Sequence, residues 1–173
     1  MQEREKKKRK TTSGLILPAN VSNFKKMREE GYFFVDNSHV LKCIYNTEHS
    51  IFTAPQRFGK TTILSMCSVF FDKNTSKETF QNCFSDLNIS KELSKKNNLG
   101  AQSFYVLKFN FAIDVSKVSP QAHIEEVFTK RLEHSFNKFC VKYHFDPNQV
   151  IDKLNYENTF VNLFGKSKIV DLD

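Results

Sequence analysis

The chain has 173 residues, with 26 Lys and Arg against 19 Asp and Glu, 39% apolar residues and 18 Phe. A disordered chain carries far fewer large apolar side chains, and five Gly and four Pro rule out collagen-like and low-complexity classes. No run reaches the roughly 18 apolar residues that span a bilayer, and the charged start from Met1 to Lys10 has no apolar segment behind it. The expectation is a globular intracellular protein of the cytoplasm or nucleus, with no membrane contact.

The charge is uneven. Arg4, Lys6, Lys7, Lys8, Arg9 and Lys10 against Glu3 and Glu5 place more than half of the net +7 in the first ten residues. Residues 1–13 are therefore expected to be a disordered basic tail, and 14–173 the folded domain. Two readings of the tail stay open: a solvated, self-repelling segment, or an arm that meets nucleic-acid phosphates or an import receptor.

Cys43, Cys67, Cys83 and Cys140 form no C-x-x-C pair of the kind zinc sites use, so reduced, mostly buried thiols are expected. His134, Cys140 and His144 share one stretch, but helical spacing points the two histidines in different directions.

In chain order, Ser22 can cap a short helix through Glu30, and Gly31 supplies its stop. Tyr32 to Val35 reads as an extended entry. Asn37 or Ser38 can cap a second helix carrying Val40, Leu41, Ile44 and Tyr45 on one face. Ser50 to Thr53 reads as a short strand, broken by Ala54-Pro55-Gln56-Arg57-Phe58-Gly59-Lys60-Thr61, after which Ile63, Leu64, Met66, Cys67 and Phe70 fall near one helical face. Short helices are expected around Phe80, Phe84 and Leu87. Phe104 to Ile113 is the strongest strand signal in the chain, apolar enough for the interior of a parallel sheet. Pro120 then opens a long helix with an apolar stripe from Ile124 to Tyr143. A further helix is predicted from Pro147 to Phe164, and a last strand over 167–171 ending at Asp171. That alternation predicts an α/β fold, a parallel sheet flanked by helices, with strands near 50–54, 104–111 and 167–171.

Ala54 to Thr61 fits the phosphate-loop spacing G-x-x-x-x-G-K-[ST], with Ala in place of the first Gly. Successive backbone amides of such a loop curl around phosphate oxygens, and the following helix adds the positive end of its dipole. Lys60 would reach the β and γ phosphates and Thr61 would put its hydroxyl on magnesium. Gly59 permits close backbone approach, and Thr62 adds a contact to the α phosphate. ATP with Mg2+ is the expected ligand pair.

The succession Leu17-Pro18, Val21, Phe24 to Asp36, then Gln56 to Thr61, then Phe70-Phe71-Asp72 resembles the AAA-ATPase-like family, whose loop reads R-P-R-R-F-G-K-S. Phe80, Phe84, Leu87 and Ile89 sit where a further family element would fall. The resemblance is best over residues 15–114. It implies a partial P-loop NTPase fold of the AAA-like kind, places Val35 and Asp36 beside the adenine, and in many members a restriction-endonuclease-like nuclease domain follows. A partner chain or self-association at an uncovered sheet edge is a further implication.

Three departures bear on function. Asn37-Ser38 stands where the family has Lys-Thr, and Ala54 and Gln56 replace two of three loop arginines, leaving Arg57. The metal-binding acid that should end a hydrophobic strand has candidates only in Asp171 and Asp173. Family members place Glu after that Asp, and Leu172 follows Asp171 here. The domain is expected to be truncated near this strand and to hydrolyse ATP poorly, if at all. The competing reading is a catalytically inactive remnant that binds nucleic acid or protein.

Overall fold

The computed structural model describes residues 14–94, 98–111, 124–151 and 159. Within them the chain forms helices α1 (Phe24–Glu29), α2 (His39–Asn46), α3 (Lys60–Phe71), α4 (Lys77–Phe84), α5 (Asn88–Ser94), α6 (Ile124–Tyr143) and α7 (Pro147–Val150). Two compact units divide after Phe104.

In the first unit, α1 starts at Asn23, one residue after the predicted cap, because the Asn23 side chain accepts from the Lys26 amide at 3.1 Å. It ends as the sequence predicts. Gly31 is left-handed, the Gly31 amide donates to Arg28 O and the Tyr32 amide to Met27 O, which together satisfy the last carbonyls. Phe24 and Met27, three apart, are the buried face of this helix, which packs on α3 and α4. The Phe24 amide is bound by the Ser65 hydroxyl of α3 at 3.0 Å. Arg28 donates through Nε to Cys83 O at 3.1 Å and pairs with Asp86, tying α1 to the turn after α4.

The core of this unit is aromatic. Phe24, Phe70 and Phe84 are fully or almost fully buried, with ring centroids 5.2 to 5.3 Å apart along the series Phe24–Phe84–Phe70. Phe80 joins at 4.9 Å from Phe84, and Leu87 and Ile89 are buried with them. At its C-terminal end α3 is clasped by a later segment: the Gln102 amide donates to Phe70 O at 2.8 Å and the Phe104 amide to Phe71 O at 2.9 Å. The Lys73 amide returns a bond to Phe104 O at 3.0 Å.

The second unit is built on α6. Residues 105–111 run beside it in the opposite direction, and their alternate side chains meet the helix at points that move steadily toward its N-terminal end. Tyr105 packs on Phe139 and Tyr143, Leu107 against the Phe139–Cys140–Tyr143 cluster, Phe109 on Phe136 and Phe111 on Phe128. Six residues of extended chain cover about 20 Å and the fifteen residues of helix from 128 to 143 about 22 Å, so the two lengths match. The Val106 amide donates to the Tyr143 hydroxyl at 2.8 Å.

The parallel sheet predicted from the sequence is therefore not present: the described residues contain no strand. Their only ladder contacts are isolated parallel bridges, Ile16 with Tyr32 and Asp72 with Phe104. The segment at 50–54 has no strand partner among the described residues, and Ile51 is 85% exposed. The segment at 104–111 spends its two-residue period against a helix. An alternating apolar run records which side chains seek burial and leaves open what buries them. The helix predicted from Pro147 to Phe164 stops at Val150, with Ile151 as an extended C-cap. The rest of that helix apart from Thr159, the helix start at Pro120, the strand at 167–171, Asp171 and Asp173, and the basic tail at 1–13 lie outside the described residues.

Candidate functional site

The predicted loop ends in a helix start, as the spacing requires. Lys60 is the first residue of α3, preceded by Gly59 at φ +82°, a left-handed position. Arg57, two residues earlier, is also left-handed at φ +67°, and the Phe58 amide donates to Pro55 O at 3.4 Å across the turn. Left-handed residues at alternate positions curve the backbone so that successive N–H groups face one concavity.

Gly59 has no side chain with which to cap the helix. The Ile63 amide is bound by Gly59 O at 2.9 Å, which leaves the amides of Lys60, Thr61 and Thr62 as the first-turn donors without a capping side chain. The first turn of α3 contains no acidic residue. The positive end of the helix dipole, about half an elementary charge, is thus not offset from within its own first turn. Gln56, Arg57, Phe58 and Thr61 are exposed, while Ala54, Gly59, Lys60 and Thr62 are half-buried.

The Lys60 ammonium folds back on its own loop, donating to the carbonyls of Ala54 and Pro55, the latter at 3.0 Å. The side chain joins the first residues of the loop to the first residue of the helix. The ammonium's bonds to these carbonyls are already charge-assisted, and an incoming anion would add the attraction of a full opposite charge.

Val35 and Asp36 are placed differently. Val35 is 61% exposed. The Asp36 carboxylate accepts from the Ser38 amide at 2.9 Å and the Asn88 amide at 2.8 Å, and the Ser38 hydroxyl accepts from the Ile89 amide at 3.2 Å. Asp36 and Ser38 thus bind the first turn of α5 from a distance of some fifty residues. Burial alone would raise the Asp36 pKa, but these hydrogen bonds outweigh it and hold the carboxyl below its usual 3.8. Among the described residues no hydrogen bond or ion pair joins Val35 or Asp36 to the loop at 54–62. Sequence reasoning missed the Ser38 contact because the partner amide lies far along the chain. It also missed the clasp at 102–104, whose one local sign was Gly100.

Other chemistry is sparse. Burial pushes the Cys67 thiol up to about 12 and raises Cys83 and Cys140, so these thiols are poor nucleophiles at neutral pH. Among the described residues no three His, Cys, Asp or Glu side chains gather as a metal cluster would require. A recess of about 340 Å³ is lined by Phe80, Leu93, Asn98, Ala101 and Gln102, and no residue of the loop takes part in it. No helix among the described residues is long and apolar enough to cross a membrane.

A family model described as "Predicted AAA-ATPase" matches residues 18–170, most of the chain and all of the loop. Comparison with curated proteins and with solved structures gives no match.

Proposed function

This chain belongs to the AAA-ATPase-like family, and from that premise we propose that its loop at 54–62 binds the phosphates of ATP together with Mg2+. The observation that carries the reading is the start of α3: left-handed Arg57 and Gly59 lead into three uncapped amides, with the Lys60 ammonium held beside them. In this reading Ala54, Pro55, Gln56, Arg57 and Phe58 shape the concavity, and the amides of Gly59, Lys60, Thr61 and Thr62 face phosphate oxygens. Lys60 exchanges its carbonyl partners for the β and γ phosphates. The Thr61 hydroxyl, at the exposed second position of the helix, is the ligand this segment offers to magnesium, with Asp171 as the distant acid. Val35 takes the adenine side. Asp36 acts there through backbone position, since its carboxylate is engaged at the two helix starts.

Calorimetric titration of the chain with magnesium ATP tests the reading. Lys60→Ala is expected to lose about 1.5 to 3 kcal/mol of binding free energy, the range for a hydrogen bond to a charged group. Equal affinity in the two proteins would remove Lys60 from the site. Turnover is expected to be slow, because the residue after Asp171 is Leu172 where a glutamate would orient water. Lys60-dependent phosphate release near 1 per second or faster, the ordinary enzyme range, would contradict that.

A second reading rests on the six cations among residues 4–10. It makes the chain a nucleic-acid-binding protein whose tail supplies the affinity, and it is compatible with nucleotide binding at the loop.

A further inference from the structure

We propose that the ring of Phe58 is a stacking platform for the base of the bound nucleotide, so that the loop selects nucleotides over bare polyphosphate. The inference rests on the phosphate-binding reading of the loop and extends it from the phosphates to the base.

Phe58 is 70% exposed, whereas Phe24, Phe70, Phe84 and Phe136 are at most 1% exposed. Phe33, Phe52, Phe104, Phe111 and Phe128 are 38 to 47% exposed, so among the described phenylalanines the ring in the phosphate loop stands furthest into solvent. The backbone around the ring is a tight turn. The Phe58 amide donates to Pro55 O at 3.4 Å, Pro55 has a fixed φ, and the residues on either side, Arg57 and Gly59, are both left-handed. This turn leads into the first-turn amides of α3 and carries the exposed ring immediately before them.

Phe58 precedes the amides of Lys60, Thr61 and Thr62 by two to four residues. A nucleotide base is tethered to its phosphates through a single ribose, so a ligand anchored on those amides keeps its base near the loop tip. An aromatic face is the complement such a base requires. A phenyl ring carries no hydrogen-bond donor or acceptor. It would register that a base is present without reading which base, so ATP and GTP are expected to gain alike.

The experiment compares magnesium ATP with magnesium tripolyphosphate on the full chain as wild type, Phe58→Ala, Phe58→Tyr and Lys60→Ala. Stacking of a base on an aromatic side chain is worth roughly fivefold or more in affinity. Phe58→Ala is expected to weaken ATP by at least about that factor and to leave tripolyphosphate within about twofold, while Phe58→Tyr keeps the wild-type preference. Equal weakening of both ligands would mean that the ring acts only through loop shape, and no change in either would leave it no role; each result overturns the proposal. So does a change in elution volume for Phe58→Ala with the ligand ratio unaltered. That outcome would assign the ring, with exposed Ile51 and Phe52, to a contact between copies. Lys60→Ala separates the two levels of the argument. If it leaves both ligands unaffected, or if the wild type binds neither, the phosphate reading itself fails and the stacking falls with it.

Discussion

Gly100 shows how one residue holds the end of a helix. It is left-handed at φ +65°, and a Cβ there would lie 2.3 Å from Cε2 of Phe104 and 2.7 Å from Cε2 of Tyr45. Phe104 is also the residue whose amide and carbonyl clasp the end of α3. Gly100→Ala is therefore expected to lower stability by about 2 kcal/mol or more, combining backbone strain with a clash against two rings. Gly31→Ala, equally left-handed but with nothing within 4 Å of its Cβ, should cost only the strain, and paired urea titrations would show the difference. Asp36 gives a pH signature. Its folded pKa lies below 3.8, so its contribution is fully present above that value and is lost as the pH falls through it toward the folded pKa. Asp36→Asn should flatten the acid limb of stability below about pH 4, and a limb identical to wild type in acid titrations followed by circular dichroism would contradict the capping role. These residues differ in how far the sequence disclosed them. The turn through Gly59 into α3 was legible because its signal is contiguous. The role of Ser38 was not, since the amide it binds is at Ile89.

At the scale of elements, the helices before Tyr143 were legible, while the sheet and the length of α7, which stops at Val150, were not. α1, α3 and the described part of α6 follow their apolar stripes closely, because a helix satisfies its own backbone and needs from its neighbours only a surface. A strand has no such independence: its hydrogen bonds belong to a partner that the local pattern does not name. Tyr105, Leu107, Phe109 and Phe111 kept the alternation of a strand and used it on α6. Tyr143 joins side-chain packing to backbone satisfaction in that pair, since its hydroxyl accepts from the Val106 amide. Tyr143→Phe keeps the ring and removes the acceptor, and should cost about 1 to 2 kcal/mol in thermal or denaturant unfolding. A loss below about 0.3 kcal/mol would mean that water replaces the hydroxyl. Deleting Lys108 should do more damage, because a one-residue slip would turn Phe109 and Phe111 to the opposite face of the extended segment.

For the whole molecule, residues 1–13 carry a net charge of +4 and residues 14–173 of +3, so the two proposed kinds of anion binding should differ in their salt response. Contacts to nucleic-acid phosphates release condensed counterions, at a slope of about −0.9 in log affinity against log salt for each phosphate neutralised on duplex DNA. Removing residues 1–13 deletes six cations. If the tail carries the nucleic-acid reading, the truncation should reduce the salt slope by several units and leave magnesium ATP affinity nearly unchanged. A fluorescence-anisotropy series from low to physiological salt measures this, and an unchanged slope would exclude the tail as the contact.

α3 has one feature with a mechanical consequence. Its first residue is bonded back to the loop by the Lys60 ammonium, and its last carbonyls are held by the amides of Gln102 and Phe104. Both fastenings act on a single rod of about 18 Å that is fully buried at Met66, near its middle, and at Phe70, near its end. The amides that a ligand would take up and the carbonyls held by Gln102 and Phe104 belong to one run of helix. A ligand seated on the first-turn amides would therefore slow the solvent exchange of protons at Gln102 and Phe104, at the far end of the helix and out of its own reach.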